Sequence, residues 1–262
     1  MSTQQELFAQ FEAVASHPKR QLDSYKAEGK KVIGVLPYYV PEELVHASGM
    51  IPMGLWGSNN KTITKAKEYC ATFYCTIAQL ALEMLLDGTM DGLDGIITPT
   101  ICDTLRPMSQ NFRVAMEGKL PCIFLAQPQN RRPEFGIQFS IDQFTHVKTE
   151  LEKISGTTIT DENLANSIKL YNQSRKARRE FSKLAGTRGV SAVNRSSVFR
   201  ASWFMTKEEH TKLLVELNSL LAASPEVKVT RGIVTSGIIC DNPKLLQLID
   251  ENGLPLLLMM WR

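Results

Sequence analysis

The chain has 262 residues, 43% hydrophobic and 22% charged, which suits a soluble globular protein with a proper core, in one large domain or two medium ones. Thirty Lys and Arg against 27 Asp and Glu leave a formal charge of +3, too small to argue for nucleic acid or an anionic membrane as partner. No apolar run approaches the ~20 residues of a membrane span, the first six residues lack a signal peptide, and five cysteines do not suggest a disulfide framework, so the expectation is a cytoplasmic protein whose thiols serve metal or catalysis.

Residues 3–28 read as one amphipathic helix ending near Gly29, with Leu7, Phe8, Phe11, Val14 and Ala15 at helical spacing. Residues 31–36 read as a short buried strand, Pro41 opens a helix, Gly49 sits where a left-handed C-cap is expected, and a second apolar run covers 51–56. Residues 71–87 read as a helix, 95–98 as a strand, 104–118 as a helix and 121–126 as a strand, the rhythm of a parallel α/β sheet. From 141 to 222 the chain reads as helical with a break near 186–194, a capping box at Thr206–Glu209 and a weaker start at Thr160. A strand over 232–239, a helix from Asn242 to Asn252 and a strand over 254–260 follow.

The expected fold class is α/β: a parallel-sheet N-terminal domain over 1–150, a helical connecting segment over 151–226, and over 227–262 the start of a second, incomplete α/β domain. That last strand–helix–strand fragment cannot cover both faces of its own sheet. It must dock on the helical segment or begin a domain that does not finish.

In an open parallel sheet, ligands collect at the carboxyl ends of the strands. Pro37–Tyr39, Pro99–Thr104 and Gln127–Asn130 fall there. Cys102 then lies in a loop entering a helix, and Cys75 near another helix start, where the helix dipole attracts negative charge. Cysteine more often fills space than binds metal. Cys122 and Cys240 fit that bland reading and Cys70 is ambiguous; without a CxxC spacing, the residues alone make a metal site a weak signal. Trp56 reads as core, and the basic run 175–179 as a solvated helix face.

The run from Tyr38 to Pro52, leading to Leu55-Trp56-Gly57, resembles the N-terminal signature of the 2-hydroxyacyl-CoA dehydratases, relatives of the benzoyl-CoA reductases. Phe73-Tyr74-Cys75-Thr76, Cys102–Leu105 with Gln110-Asn111, Pro128–Arg131 and Phe204–His210 extend the likeness through about Gly253, nearest to the beta-type subunit. The resemblance implies that two homologous subunits pair, each holding a [4Fe–4S] cluster through three cysteines. It further implies a separate ATP-hydrolysing iron–sulfur activator that supplies one electron, and an acyl-CoA substrate that loses water through a ketyl radical to give a 2-enoyl-CoA. A low-potential thiolate-ligated cluster suits that step, because the β-proton of a 2-hydroxyacyl thioester is not acidic.

By this resemblance Cys75 and Cys102 match the first two cluster ligands, while the third family cysteine has no counterpart, Cys240 lying too early. Glu42, Glu43 and His46, on one helical turn, are candidates for a role beside cluster or substrate, or form a capped surface turn. A double-cubane reductase would need more cysteines than the chain has. The alternative function is a non-catalytic, truncated remnant that folds and forms a homo-oligomer without a cluster.

The tail 256–262 also reads as out of frame. Met259-Met260-Trp261 is encoded only by ATG ATG TGG. Shifted back one base after a Leu258 codon ending in G, those letters give Asp-Asp-Val, as the family's strand has. The expectation is a deleted base just after Pro255, checked by resequencing the locus.

Overall fold

The computed structural model describes residues 2–36, 39–56, 61–237 and 240–261. Pro37, Tyr38, Gly57, Ile238, Ile239 and Arg262, which the sequence reading assigned to the first loop, the signature, a strand and the tail, lie outside the described residues. The chain forms two compact units: residues 22–168, and residues 1–21 together with 169–262.

Two helices open the chain, α1 (Gln4–Ser16) and α2 (Pro18–Ala27). The single helix expected over 3–28 is divided because Pro18 brings no N–H to a continuing ladder, and the His17 N–H turns back to the Val14 carbonyl. A reciprocal capping box between Thr3 and Glu6 starts α1. There follow β1 (Val32–Val35), α3 (Glu42–Ala47), β2 (Ile51–Gly54), a 3-10 turn (Lys65–Glu68), α4 (Thr76–Leu86), β3 (Gly95–Pro99), α5 (Leu105–Ala115), β4 (Cys122–Leu125) and α6 (Glu134–Ser155). The second half contains α7 (Asp161–Thr187), α8 (Ala192–Ala201), α9 (Lys207–Ala222), β5 (Ile233–Gly237), α10 (Pro243–Glu251) and β6 (Leu256–Trp261).

In the unit of residues 22–168, four strands pair in parallel in the order β2-β1-β3-β4. All four residues of β1 and of β2 and all five of β3 are buried, as a sheet covered on both faces requires. Gly34 is fixed by this packing: a Cβ there would lie 2.9 Å from Leu55 Cδ1 and 3.0 Å from both Ile96 Cγ2 and Leu93 Cδ1. The left-handed glycine expected at position 49 is present, with φ 79°, and Gly29, near which the opening helical stretch was expected to end, has φ 73°. The helix expected over 71–87 begins only at Thr76, with Cys75 as its N-cap.

In the other unit, α1 lays Leu7, Phe8, Phe11 and Ala15 against Phe181, Val198, Leu214 and Leu217 of α7, α8 and α9. Thr206 caps α9, its hydroxyl accepting from the Glu209 N–H, as the sequence pattern requires. The parallel pair β5-β6 and α10 dock on α8. Leu246, Ile249 and Leu256 pack on Ala192. The Asp250 carboxylate accepts the Ala192 and Val193 N–H groups at 2.6 and 3.1 Å, capping α8. Arg195, fully buried, donates to the Leu256 carbonyl at 2.7 Å and to Ser182 Oγ at 2.8 Å. The strand–helix–strand fragment is thus docked on one side, while Val234, Leu245 and Leu248 stay exposed.

A candidate active site at the carboxyl edge of the sheet

Strand order places a topological switch in the unit of residues 22–168. The connection after β1 runs to β2 on one side, and the connection after β3 runs to β4 on the other. In an open parallel sheet such a switch is where a crevice for ligands is expected, at the carboxyl ends of the strands. Because all strands are parallel, α3, α4 and α5 begin at that same edge.

Three loops are tied together there. The Gln127 N–H donates to Thr100 Oγ1 at 2.7 Å, and Gln127 Nε2 donates to the Tyr39 carbonyl at 3.2 Å. The Arg131 guanidinium lies over the Tyr39 ring, 4.7 Å from its centroid. Tyr39 has φ 60°, the one non-glycine residue with positive φ among those described. Backbone held in that region is strained and concentrates at functional sites. Sequence reading named the three loops but missed the roles of Tyr39, Gln127 and Arg131 within them. A tyrosine in the left-handed region carries no local signal.

Both expected cluster cysteines come to this edge as exposed, free thiols. Cys75 is the N-cap of α4, and its sulfur accepts no cap hydrogen bond. The Cys102 carbonyl accepts from the Arg106 N–H at 3.2 Å, so Cys102 begins the turn that becomes α5. Phe73, beside Cys75, is 85% exposed and meets the Tyr74 ring edge-on. The other cysteines differ. Burial pushes the Cys122 thiol up to about 11, and its Sγ donates to the Leu120 carbonyl. Cys70 is buried, donates to the Ala66 carbonyl at 2.9 Å, and is raised by burial and then by the Glu83 charge. Cys240 is half-buried.

Glu42 and Glu43 occupy the first turn of α3 at the crevice edge, both half-buried. His46 lies in the last turn, its Nδ1 2.7 Å from Ser167 Oγ on α7. Trp56 is half-buried, and in the basic run Lys176 and Arg179 are exposed while Arg175 lies over the Tyr171 ring.

A three-thiolate cluster site is not assembled by the described residues. Among them, no group of three or more His, Cys, Asp or Glu side chains comes together as a metal set. Cys75 and Cys102 are free, exposed thiols, soft donors of the type an iron–sulfur cluster takes.

A model of the family described as 2-hydroxyglutaryl-CoA dehydratase, D-component, matches residues 37–258. The chain is 56% identical over 251 residues to the (R)-2-hydroxyglutaryl-CoA dehydratase subunit beta of Acidaminococcus fermentans, covering 95% of this chain and 66% of the relative. It is 40% identical over 256 residues to the lactoyl-CoA dehydratase subunit beta of Anaerotignum propionicum, covering 96% and 67%. It is 30% identical over 223 residues to one of the benzoyl-CoA reductase subunits of Thauera aromatica, covering 82% and 57%. The chain thus spans about two thirds of the length of the dehydratase subunits it matches. Through a match over most of its length, the chain belongs to the 2-hydroxyglutaryl-CoA dehydratase D-component family.

Proposed function

We propose that the chain acts as the beta-type component of a 2-hydroxyacyl-CoA dehydratase. The observation that carries this is the placement of Cys75 and Cys102, two exposed free thiols at the starts of α4 and α5 on the carboxyl edge of one sheet. Both thiols are offered to a [4Fe–4S] cluster whose remaining protein ligand comes from outside the described residues. The proposed net reaction removes water from positions 2 and 3 of a 2-hydroxyacyl thioester through a ketyl radical; an ATP-hydrolysing iron–sulfur activator supplies one electron, which returns to the protein's cluster when the enoyl thioester forms, so that dehydration is redox-neutral overall. Glu42 and Glu43 are the proposed polar groups on the substrate side. His46, bonded to Ser167, is proposed to hold α3 in place.

The names of the relatives, subunit beta in two cases, support a companion subunit for this chain. So does α6, which exposes Phe135, Ile137, Phe139, Ile141 and Phe144 over its first half. An apolar surface of that extent on a helix suits a protein partner, and the proposed occupant is the homologous dehydratase subunit.

The test is iron and acid-labile sulfide per chain, in protein made and purified without oxygen. The expectation is about four irons per chain, lost in Cys75→Ser and in Cys102→Ser but kept in Cys122→Ser. A second reading is a folded chain without a cluster, favoured by the lack of a three-ligand group among the described residues. An iron-free wild type sinks the first reading and leaves the second.

A further inference from the structure

Three polar side chains lie four residues apart on α4 and at its C-cap: Gln79, Glu83 and Asp87. Gln79 and Glu83 are 4% and 3% exposed. Burying a neutral amide and a carboxylate on a helix face is costly unless every group finds a partner. For Gln79 and Glu83 the partners come from one stretch, the segment that precedes the helix, and Asp87, which also accepts from the Thr89 N–H at 2.9 Å, joins the same segment. Asp87 is paired with Lys61 at the start of that segment. Glu83 accepts the Thr64 N–H at 2.9 Å, the Thr64 hydroxyl at 2.7 Å and the Ala66 N–H at 2.8 Å. Gln79 Nε2 donates to the Tyr74 carbonyl at 2.6 Å and to the Thr72 carbonyl at 3.4 Å. The segment therefore runs back along α4 from the C-cap to the N-cap, tied one helical turn at a time, and the last tie is the residue before Cys75.

The N-cap itself gives a second reason to see more than a covered helix face. Ser, Thr, Asp or Asn at that position would satisfy an orphan N–H and stabilise the helix by about 1 kcal/mol. The chain instead carries a cysteine there that makes no cap bond. Local stability is forgone at the end of the segment, where the last of the three ties meets the residue before Cys75. Glu83 also holds its segment as an anion. Burial raises its carboxyl, but the Ala66 and Thr64 N–H groups and the Thr64 hydroxyl outweigh that and keep it below the ordinary range.

We infer that Gln79 and Glu83 are positioning residues that set where the Cys75 sulfur stands relative to the first turn of α4. The inference rests on the reading of Cys75 as a functional thiol, but its test does not need a cluster. In the intact chain, the rates at which iodoacetamide modifies Cys75 and Cys102 are followed separately by mass spectrometry. In Gln79→Leu the segment loses its last tie, and the Cys75 sulfur is no longer held at the first turn of α4. Its rate falls at least about threefold while that of Cys102 is unchanged. Glu83→Gln, which puts donors where the carboxylate accepted, gives a smaller fall in the same direction, and Glu83→Asp recovers part of it.

Leu82→Ala in the same helix is the control for general loosening, because Leu82 is fully buried and its side chain makes none of the hydrogen bonds to the segment. It lowers the melting temperature but leaves the ratio of the two rates as in the wild type. Equal Cys75 rates in wild type and Gln79→Leu, or parallel changes at Cys75 and Cys102 in every variant, would overturn the inference. An iron-free protein in which Gln79→Leu still slows Cys75 selectively would remove the cluster reading and leave the positioning role standing.

Discussion

His210 is fully buried beneath α8, its Nε2 2.9 Å from the Val198 carbonyl and its ring 5.2 Å from Phe11. Burial pushes it down to about 3; the Val198 carbonyl opposes this, and the charges of Lys207 and Arg178 add to it. The folded protein therefore keeps the ring neutral where an unfolded chain binds a proton at the ordinary value near 6.5. Between those two values the unfolded state holds more protons, so stability falls as pH drops from 6.5 toward 3, by up to about 1.4 kcal/mol per pH unit. Glu83 works in the same direction, since its carboxyl is held low in the fold. Urea titrations of His210→Leu should show a flatter acid limb between pH 6 and 4 than the wild type. An identical slope in both would show that His210 contributes nothing to acid sensitivity. At this scale sequence reading reached Cys75 and Cys102 because a family motif marks them. It did not reach His210, Tyr39 or Arg195, whose roles come from partners distant in the chain. Arg195, pulled down to about 10 by burial, is bonded to the Leu256 carbonyl 61 positions away.

Element boundaries depend on groups that meet only in the folded chain. The strands of the main sheet were legible as short apolar runs, and α10 as the stretch after Asn242, whose side chain accepts from the Lys244 and Leu245 N–H groups. The start of α4 was not, because Gln79 takes the carbonyls of residues 72 and 74 and stops the helix from extending backward past Cys75. The first turn of α6 is closed just as tightly. An added Cβ on Gly136 would collide with the Asn130 carbonyl oxygen in the loop after β4, the loop that carries Gln127 and Arg131 to the crevice. Neither side of that contact is the end of a flexible side chain, so the backbone itself must move. Gly136→Ala should cost more than about 2 kcal/mol in denaturant unfolding, and should weaken the order of Tyr39 along with the loop. A loss below about 0.5 kcal/mol would mean that the loop yields freely.

For the molecule as a whole, the covered and the open faces set its behaviour. The sheet of residues 22–168 is enclosed by helices, but the β5-β6 pair has α8 on one side and leaves Val234, Leu245 and Leu248 exposed. Both outer edges of that two-stranded parallel sheet lack a neighbouring strand among the described residues. Open strand edges beside apolar side chains favour pairing with a second copy of the chain. Sedimentation at tens of micromolar should therefore show species larger than a monomer, and Leu245→Glu with Leu248→Glu should shift the distribution toward monomer. A monomer at high concentration in the wild type would count against self-association. No helix among the described residues is long and apolar enough to cross a membrane.

Sequence alone determined the α/β class, the parallel sheet, the helical stretch and the family, because periodicity, turn residues and contiguous motifs are local properties that survive in a linear reading. It also singled out the two cysteines that reach the carboxyl edge. Tertiary structure alone decided that α1 packs with α7, α8 and α9, that Asp250 caps α8, and that three polar side chains of α4 tie down the approach to Cys75. Apart from the exposed Asp87, each of these rests on a buried or half-buried group satisfied by a partner outside its own element. Burial makes such a partner obligatory, but which residue supplies it is fixed only when the chain has folded.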